Sequence, residues 1–367
     1  MENDIFLAGT PGAEQQLYDE ARRFALPGAR RVPGGVEICG DWETLWRANL
    51  GLRGATRVLL RIGSFMAFHP AQLDKRARKF PWGDWLRADV PVRVETVTRK
   101  SKIYHAGAAT SRIEKAITDT LGAPIAKDAP VVLKVRIDDN RVTLSIDTSG
   151  ESLHKRGHKV ATGKAPMRET LAALFLAQMG FDGNVPVYDP MCGSGTFPIE
   201  AAEIAAGLWP GRSRSFAFEQ LAGFDAKAYA KFRAGIPAPR VPQVRFYGSD
   251  RDDGAIRNAT ANAERSGVAD FTTFHRAAIS DITPPDGPPG IVMINPPYGT
   301  RIGNKGALYA LHKSMGEVLA ERFKGWRVGI ITSETGLARA TALPFQPPGP
   351  PIPHGGLKVR LFQTGPL

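Results

Sequence analysis

Residues 185–208, VPVYDPMCGSGTFPIEAAEIAAGL, read as a strand that runs into a glycine loop and out again into a helix. That order is the opening unit of an open α/β sheet. It places the loop at the carboxyl edge of the strand, where such sheets bind ligands. Gly193 and Gly195 let the backbone come close to whatever is bound. The surrounding pattern agrees. From residue 166 onward helical and extended stretches alternate through VRFYGSD, DDGAIRNATANAERSG, FTTFHRAAI, IVMINPP, GALYALHKSMGEVLAERF, RVGIITSE and LKVRLFQTG. Alternation of this length predicts a mostly parallel sheet with helices on both faces. The Pro-rich LPFQPPGPPIPHGG (343–356) reads as a stiff connection between the last two strands, in preference to a ligand for SH3-type domains.

The first 150 residues have a different character. DIFLAGT (4–10) and GGVEICG (34–40) flank a helical pattern over 12–26, and a second helix over 41–52 opens with Asp41 as its N-cap. RVLLRIGSF (57–65) and VPVRVETV (90–97) alternate as strands do. A helix is expected over 111–122 with Ser111 as its cap, followed by a hairpin over 130–147 that turns at Asp139-Asn140. This is a small α+β assembly of two subdomains.

The chain carries 48 Lys and Arg against 36 Asp and Glu, a net charge of +12. The excess is spread along the whole length, and it favours polyanionic partners, since neutralised phosphates release counterions. Cys39 and Cys192 are the only cysteines, which excludes a disulfide framework and a cysteine zinc site. With no apolar run of membrane length and no basic leader before the opening MENDIFLAGTPG, a cytoplasmic protein is expected.

The glycine loop narrows the ligand. Pro198 stands where a dinucleotide fingerprint needs its third glycine, and no Gly-Lys-Ser/Thr is present to cradle a phosphate. The next strand ends in GSD, so Asp250 is placed to accept hydrogen bonds from a ribose diol. Asp189, the loop glycines and Asp250 without phosphate apparatus point to S-adenosylmethionine as the cofactor. IVMINPPYG (291–299) then ends a strand on the same edge with Asn295, two prolines and Tyr298. A conjugated amino group is a poor nucleophile because its lone pair is delocalised. The Asn295 amide oxygen and the Pro296 carbonyl are acceptors for such an NH₂, and Tyr298 is a surface for a flat base. Positioning and electrostatics then supply most of the rate without a strong base.

The motifs DPMCGSGT, GSD and NPPYG, in that order, resemble the class I methyltransferases that modify the exocyclic N2 of guanine in RNA. The segments VTRKSKIYHAGAATSRIEKAI (97–117) and VRIDDNRVTLSIDTSGESLHKRGHK (135–159) are similar to the THUMP RNA-binding domain and the link that follows it. Nearly the whole chain is covered, and the likeness is to the RlmL-like bacterial 23S rRNA guanine-N2 methyltransferases in their single-methyltransferase form. The resemblance implies a ferredoxin-like α+β subdomain over 1–42, a THUMP-like domain over 43–149, a basic linker over 150–165 and a methyltransferase domain over 166–367. The last is expected to be a Rossmann-like, mostly parallel, seven-stranded class I sheet. It also implies that Asp189, Met191, Gly193, Gly195, Thr196 and Asp250 hold the cofactor, with Glu169 and Thr170 near its methionine end. Asn295, Pro296 and Tyr298 would hold the guanine. Ala278 stands where the family often has an acid against the adenine, so a backbone group or Asp281 takes that contact.

On the RNA side, Arg93, Arg99, Lys100, Lys102, Arg112 and Lys115 cluster in one strand-loop-helix segment, and HKRGHKVATGKAPMR (154–168) adds Lys155, Arg156, Lys159, Lys164 and Arg168 without an acid. Both are expected to guide phosphates. Trp82 and Trp85 beside a basic run are candidates for stacking or for the core. His105, His154 and His158 lack metal-ligand spacing and read as polar surface or phosphate contacts, so no metal is expected. Cys192 reads as a packing residue. The leading substrate is 23S rRNA, free or in a pre-ribosomal particle, ahead of tRNA. Adenine N6 or protein glutamine methylation remains open on the Asn-Pro-Pro-Tyr motif, as does a non-catalytic RNA-binding factor.

Overall fold

Two seven-stranded sheets organise the chain, and each belongs to its own unit. The computed structural model describes residues 3–159, 167–298 and 305–367; Lys164, the linker residues 160–165 and Gly299 lie outside them. The first unit comprises residues 1–9, 18–153 and 214–236, and the second the remainder.

In the first unit the elements are β1 (Asn3–Ala8), α1 (Glu14–Arg23) from Tyr18 onward, β2 (Arg30–Val32), β3 (Gly35–Gly40), α2 (Trp42–Gly51), β4 (Arg57–Met66), α3 (Pro70–Arg78), β5 (Val92–Arg99), α4 (Ala106–Leu121), β6 (Val131–Asp138) and β7 (Arg141–Asp147). They form one sheet in the order β2-β3-β1-β4-β7-β6-β5. β1 pairs antiparallel with both β3 and β4, and β4 pairs antiparallel with β7. Asp41 caps α2 as expected, accepting from the Thr44 N–H at 2.9 Å. The hairpin also turns where the sequence indicated. Asp139 (φ 49) and Asn140 (φ 61) both take left-handed backbone, the geometry that matches the twist of the flanking strands. Ser111 is not a cap: α4 begins five residues earlier, and the Ser111 hydroxyl donates back to the Gly107 carbonyl at 3.2 Å. Trp82 is core, its indole N–H donating to the Ala77 carbonyl at 2.8 Å.

The second unit contains α5 (Glu169–Gln178), β8 (Val187–Asp189) and α6 (Thr196–Ala205). The next helix, α7 (Ala226–Ala234), falls in the segment that returns to the first unit. There Tyr229, Phe224 and Phe232 surround Trp46, with ring centroids 5.2, 6.5 and 5.8 Å away. The second unit resumes with β9 (Phe246–Asp250), α8 (Asp253–Ser266), β10 (Thr272–Arg276), β11 (Ile291–Ile294), α9 (Lys305–Arg322), β12 (Arg327–Thr332), α10 (Thr335–Ala340), β13 (Ile352–His354) and β14 (Leu357–Pro366). The strand order is β10-β9-β8-β11-β12-β14-β13. The first five strands run parallel and β14 is antiparallel to both its neighbours. This is the expected mostly parallel, seven-stranded methyltransferase sheet. All four residues of β11 are buried, as a central parallel strand covered on both faces requires. The Pro-rich stretch contains the short strand β13, which pairs with β14 through the positive-φ turn Gly355-Gly356. Among the described residues no helix is long and apolar enough to cross a membrane.

Candidate active site

The carboxyl ends of β8, β9 and β11 bring the expected chemistry to one edge of the second sheet. After β8 the chain turns at once. The Asp189 carboxylate accepts the Met191 N–H at 3.0 Å, and the Cys192 N–H donates to the Ser249 carbonyl at 2.9 Å. The Gly193 N–H donates to Asp250 Oδ2 at 3.0 Å, while Asp250 Oδ1 accepts from the Asp252 N–H at 3.0 Å. Gly195 opens α6 with φ 81, and a Cβ there would stand 3.0 Å from the Ala259 methyl and 3.1 Å from the Phe274 ring. No other residue fits that position without displacing its neighbours. Met191 is half-buried and packs against the apolar cluster that holds Tyr188 and Ile294. Cys192 is buried, and burial with two nearby carboxylates pushes its thiol well up, which suits packing and not nucleophilic attack.

The electrostatics of this loop restrict what it can hold. Asp189 is 3% exposed, and burial together with the Asp250 charge raises its carboxyl well above the usual range. Two carboxylates around a glycine loop repel phosphate and favour a cationic ligand with hydroxyl donors. The sulfonium, ammonium and ribose of S-adenosylmethionine fit that donor set.

A second acid, Glu169, is the first residue of α5, where the helix N-terminus favours negative charge. It is buried beside Thr170, and Lys159 Nζ lies 3.4 Å from its carboxylate. The same ammonium donates to the Met167 carbonyl at 2.8 Å and to Thr196 Oγ1 at 2.9 Å. Burial raises the Glu169 carboxyl and lowers the Lys159 ammonium, and the opposite charge of each partner works against that shift. A small cleft is lined by Lys159, Glu169, Ser194, Thr196, Glu200 and Asn262 among others.

Beyond β11 the chain presents Asn295, whose side-chain oxygen is buried and has no hydrogen-bond partner among the described residues. Pro296 is buried behind it and Tyr298 is half-buried. An orphaned buried acceptor costs about 1–3 kcal/mol, so Asn295 Oδ1 is suited to receive a donor from a bound molecule. Asp281 is exposed and accepts from the Ser280 hydroxyl at 2.9 Å, while its N–H donates to the Ala278 carbonyl.

The basic residues divide. Arg99, Lys100, Lys102 and Arg112 are exposed on the first unit, and Lys155 is exposed on the second. Arg156 and Lys159 were expected to face phosphates, and both turn inward. The Arg156 guanidinium is 1% exposed and lies 3.2 Å from the Glu200 carboxylate, because a buried cation needs a paired acid. His158 is likewise buried, 3.7 Å from Glu203, and is not a surface group. Glu203 also pairs with Arg212 at 2.6 Å. Glu200 and Glu203 were missed in the sequence, although two glutamates one turn apart in the otherwise apolar α6 are a readable sign of buried counter-charges.

Comparison with known proteins agrees with this geometry. A model of the UPF0020 family, described as an RMKL-like methyltransferase domain, matches residues 156–343, and a model of the RlmL ferredoxin-like domain matches residues 4–59. A Synechocystis protein named "Putative RNA methyltransferase slr0064" is 30% identical over 356 residues, 94% of this chain and 92% of that one. Among solved structures, a Listeria monocytogenes protein named "predicted N6-adenine-specific DNA methylase" superposes with a TM-score of 0.89 at 29% identity, covering 100% of this chain and 97% of that one. SMU.472, solved in complex with S-adenosylhomocysteine, gives 0.88 at 28% identity, covering 100% and 98%. The chain belongs to the UPF0020 family of RMKL-like methyltransferases and begins with an RlmL-type ferredoxin-like domain.

Proposed function

We propose that the protein transfers a methyl group from S-adenosylmethionine to the exocyclic N2 of a guanine in RNA, with 23S rRNA as the substrate, in the cytoplasm. The observation that carries this reading is the buried Asn295 oxygen just past the end of β11, which has no hydrogen-bond partner among the described residues and lies on the edge that also carries the glycine loop. The cofactor, when bound, supplies an electrophilic methyl on a sulfonium. Asp250 accepts hydrogen bonds from its ribose, Asp189 and the Gly193–Thr196 turn shape the loop around it, and Glu169 with Thr170 receives its methionine end.

Asn295 Oδ1 and the Pro296 carbonyl accept the two hydrogens of the guanine NH₂. That draws the nitrogen towards a tetrahedral geometry and points its lone pair at the methyl. Tyr298 stacks on the base, the new N–CH₃ bond replaces the methyl–sulfur bond with S-adenosylhomocysteine as the leaving group, and the surplus amino proton passes to water. Arg99, Lys100, Lys102, Arg112 and Lys155 hold phosphates, and the name of the Synechocystis relative supports RNA as the polymer.

Adenine N6 is the second reading. Its amino group presents the same two hydrogens to Asn295, and the Listeria neighbour carries a name of that kind. Labelled methyl transfer to total RNA from cells lacking the gene, followed by nucleoside analysis, separates the two. Label in N2-methylguanosine of the large-subunit rRNA is the expected result. The same nucleoside in tRNA moves the substrate, N6-methyladenosine moves the base, and the absence of label from RNA overturns the reading.

A further inference from the structure

The exposed cations of the first unit stand out from their neighbours. Arg93 pairs with Glu95 at 2.8 Å, Arg136 with Asp138 at 2.5 Å and Lys115 with Asp119 at 3.3 Å. Arg99, Lys100, Lys102 and Arg112 form no ion pair among the described residues. Arg99, Lys100 and Lys102 lie around one corner of the sheet whose three chain turns are tied together by Asn140, and Arg112 follows in α4. Its backbone N–H donates to Ser101 Oγ at 3.0 Å, its side-chain oxygen accepts the Lys102 N–H at 2.9 Å, and its carbonyl accepts the Ala67 N–H at 2.8 Å. The Asp139 N–H adds a bond to the Arg99 carbonyl at 3.2 Å, and Lys100 is held at φ 45 between them.

Aromatic rings flank the same turns. Lys102 Nζ sits 5.8 Å from the centroid of the Phe68 ring, which is itself exposed. The Tyr104 side chain is 72% exposed, although the Tyr104 carbonyl is fixed by the Thr98 hydroxyl at 3.0 Å and its ring lies 4.5 Å from that of His105. A tyrosine ring held out in water on a tied backbone gives the fold little, and beside exposed cations that form no close ion pair among the described residues it suits a ligand that offers both flat faces and phosphates. In a duplex the base faces are covered by their stacked neighbours. Only an unpaired strand can use the rings as well as the charges.

We infer that this corner of the first unit binds an unpaired stretch of the RNA substrate, with Tyr104 and Phe68 stacking on bases, the four cations on phosphates, and Asn140 as the positioning residue. The inference rests on RNA being the substrate. The test is fluorescence anisotropy with a short labelled RNA of mixed sequence, alone or annealed to its complement. The full chain binds the unpaired form about 10-fold more tightly or better, and Tyr104→Ala removes about 10-fold of that affinity while leaving duplex binding unchanged. Lys102→Ala weakens both forms and reduces the salt slope by about one. Asn140→Gly keeps the positive φ but removes the acceptor for the Lys102 N–H, so it weakens both forms at temperatures where the variant is still fully folded.

Equal binding of the two forms, or an unaltered unpaired affinity in Tyr104→Ala, overturns the inference; the tyrosine variant decides alone if Asn140→Gly does not fold. Methyl transfer to RNA without strand discrimination defeats this inference only. A wild-type protein that neither binds nor methylates RNA defeats the substrate reading with it.

Discussion

The Gly193 backbone N–H donates to the Asp250 carboxylate at 3.0 Å and so ties the loop after β8 to the end of β9. One carboxylate thereby shapes the glycine loop and, in the function proposed above, also receives the ribose. Asp250→Ala removes both contributions. Affinity for S-adenosylhomocysteine, measured by calorimetry, falls about 10- to 100-fold, the worth of a hydrogen bond to a charged group. Asp250→Asn retains an acceptor and falls less. Equal affinity in all three proteins would remove Asp250 from the cofactor site.

Asn295 offers a test in which stability and activity separate. Its side-chain oxygen is buried without a partner among the described residues, so the unliganded fold gains nothing from it. Asn295→Ala is expected to melt at the same temperature or slightly above wild type, to keep cofactor affinity within about two-fold, and to lose at least about 100-fold in methyl transfer. A variant with full turnover would refute the role given to Asn295.

Asp189 makes the site sensitive to acid. Its carboxyl is raised by burial first and by the Asp250 charge second. On acidification it therefore takes up a proton well before an ordinary aspartate, and a cationic ligand loses its counter-charge. Affinity for S-adenosylmethionine, whose sulfonium carries the charge, should weaken with a midpoint above pH 3.8, the ordinary value. The sign for stability is opposite. A carboxyl whose folded pKa exceeds its unfolded value favours folding below that unfolded value, and the advantage is lost as pH rises through the folded value. Asp189→Asn is thus expected to raise the unliganded melting temperature at neutral pH while weakening the ligand, which paired melts with and without ligand would show.

Arg156 separates a structural cation from an RNA contact. Arg156→Met leaves Glu200 without the guanidinium beside it, at a cost of about 3 kcal/mol in urea denaturation. Pairing it with Glu200→Leu restores most of that loss. RNA affinity of the folded protein stays at the wild-type level in both, and a selective loss of RNA binding would return Arg156 to the interface.

The parts of the site that the sequence revealed are those fixed by local geometry. The loop at 189–196 needs its glycines for backbone reasons, the strand before Asn295 must stop at two prolines, and Asp139-Asn140 require left-handed backbone that few residues accept. What it concealed depends on distant partners. The runs containing Arg156 and Lys159 look like a solvated basic face until Glu200 and Glu169 arrive from elsewhere in the chain. Ser111 was misleading for a related reason: a hydroxyl that caps a helix and one that bonds back to a carbonyl four residues earlier are the same residue in the same sequence context. Nor did any local pattern show that residues 214–236, between α6 and β9, belong with the first unit.

That last feature bears on how the chain is made. Domains emerging from the ribosome generally fold in order, each when its own segment is complete. Here Trp46 waits for Phe224, Tyr229 and Phe232, and the Ser149 carbonyl waits for Arg214, which donates to it at 3.0 Å. The first unit therefore closes its core only after β8, the glycine loop and α6 of the second have already been synthesised. The two units share a folding timetable, and the nascent chain has a long interval in which the aromatic side of the first is uncovered.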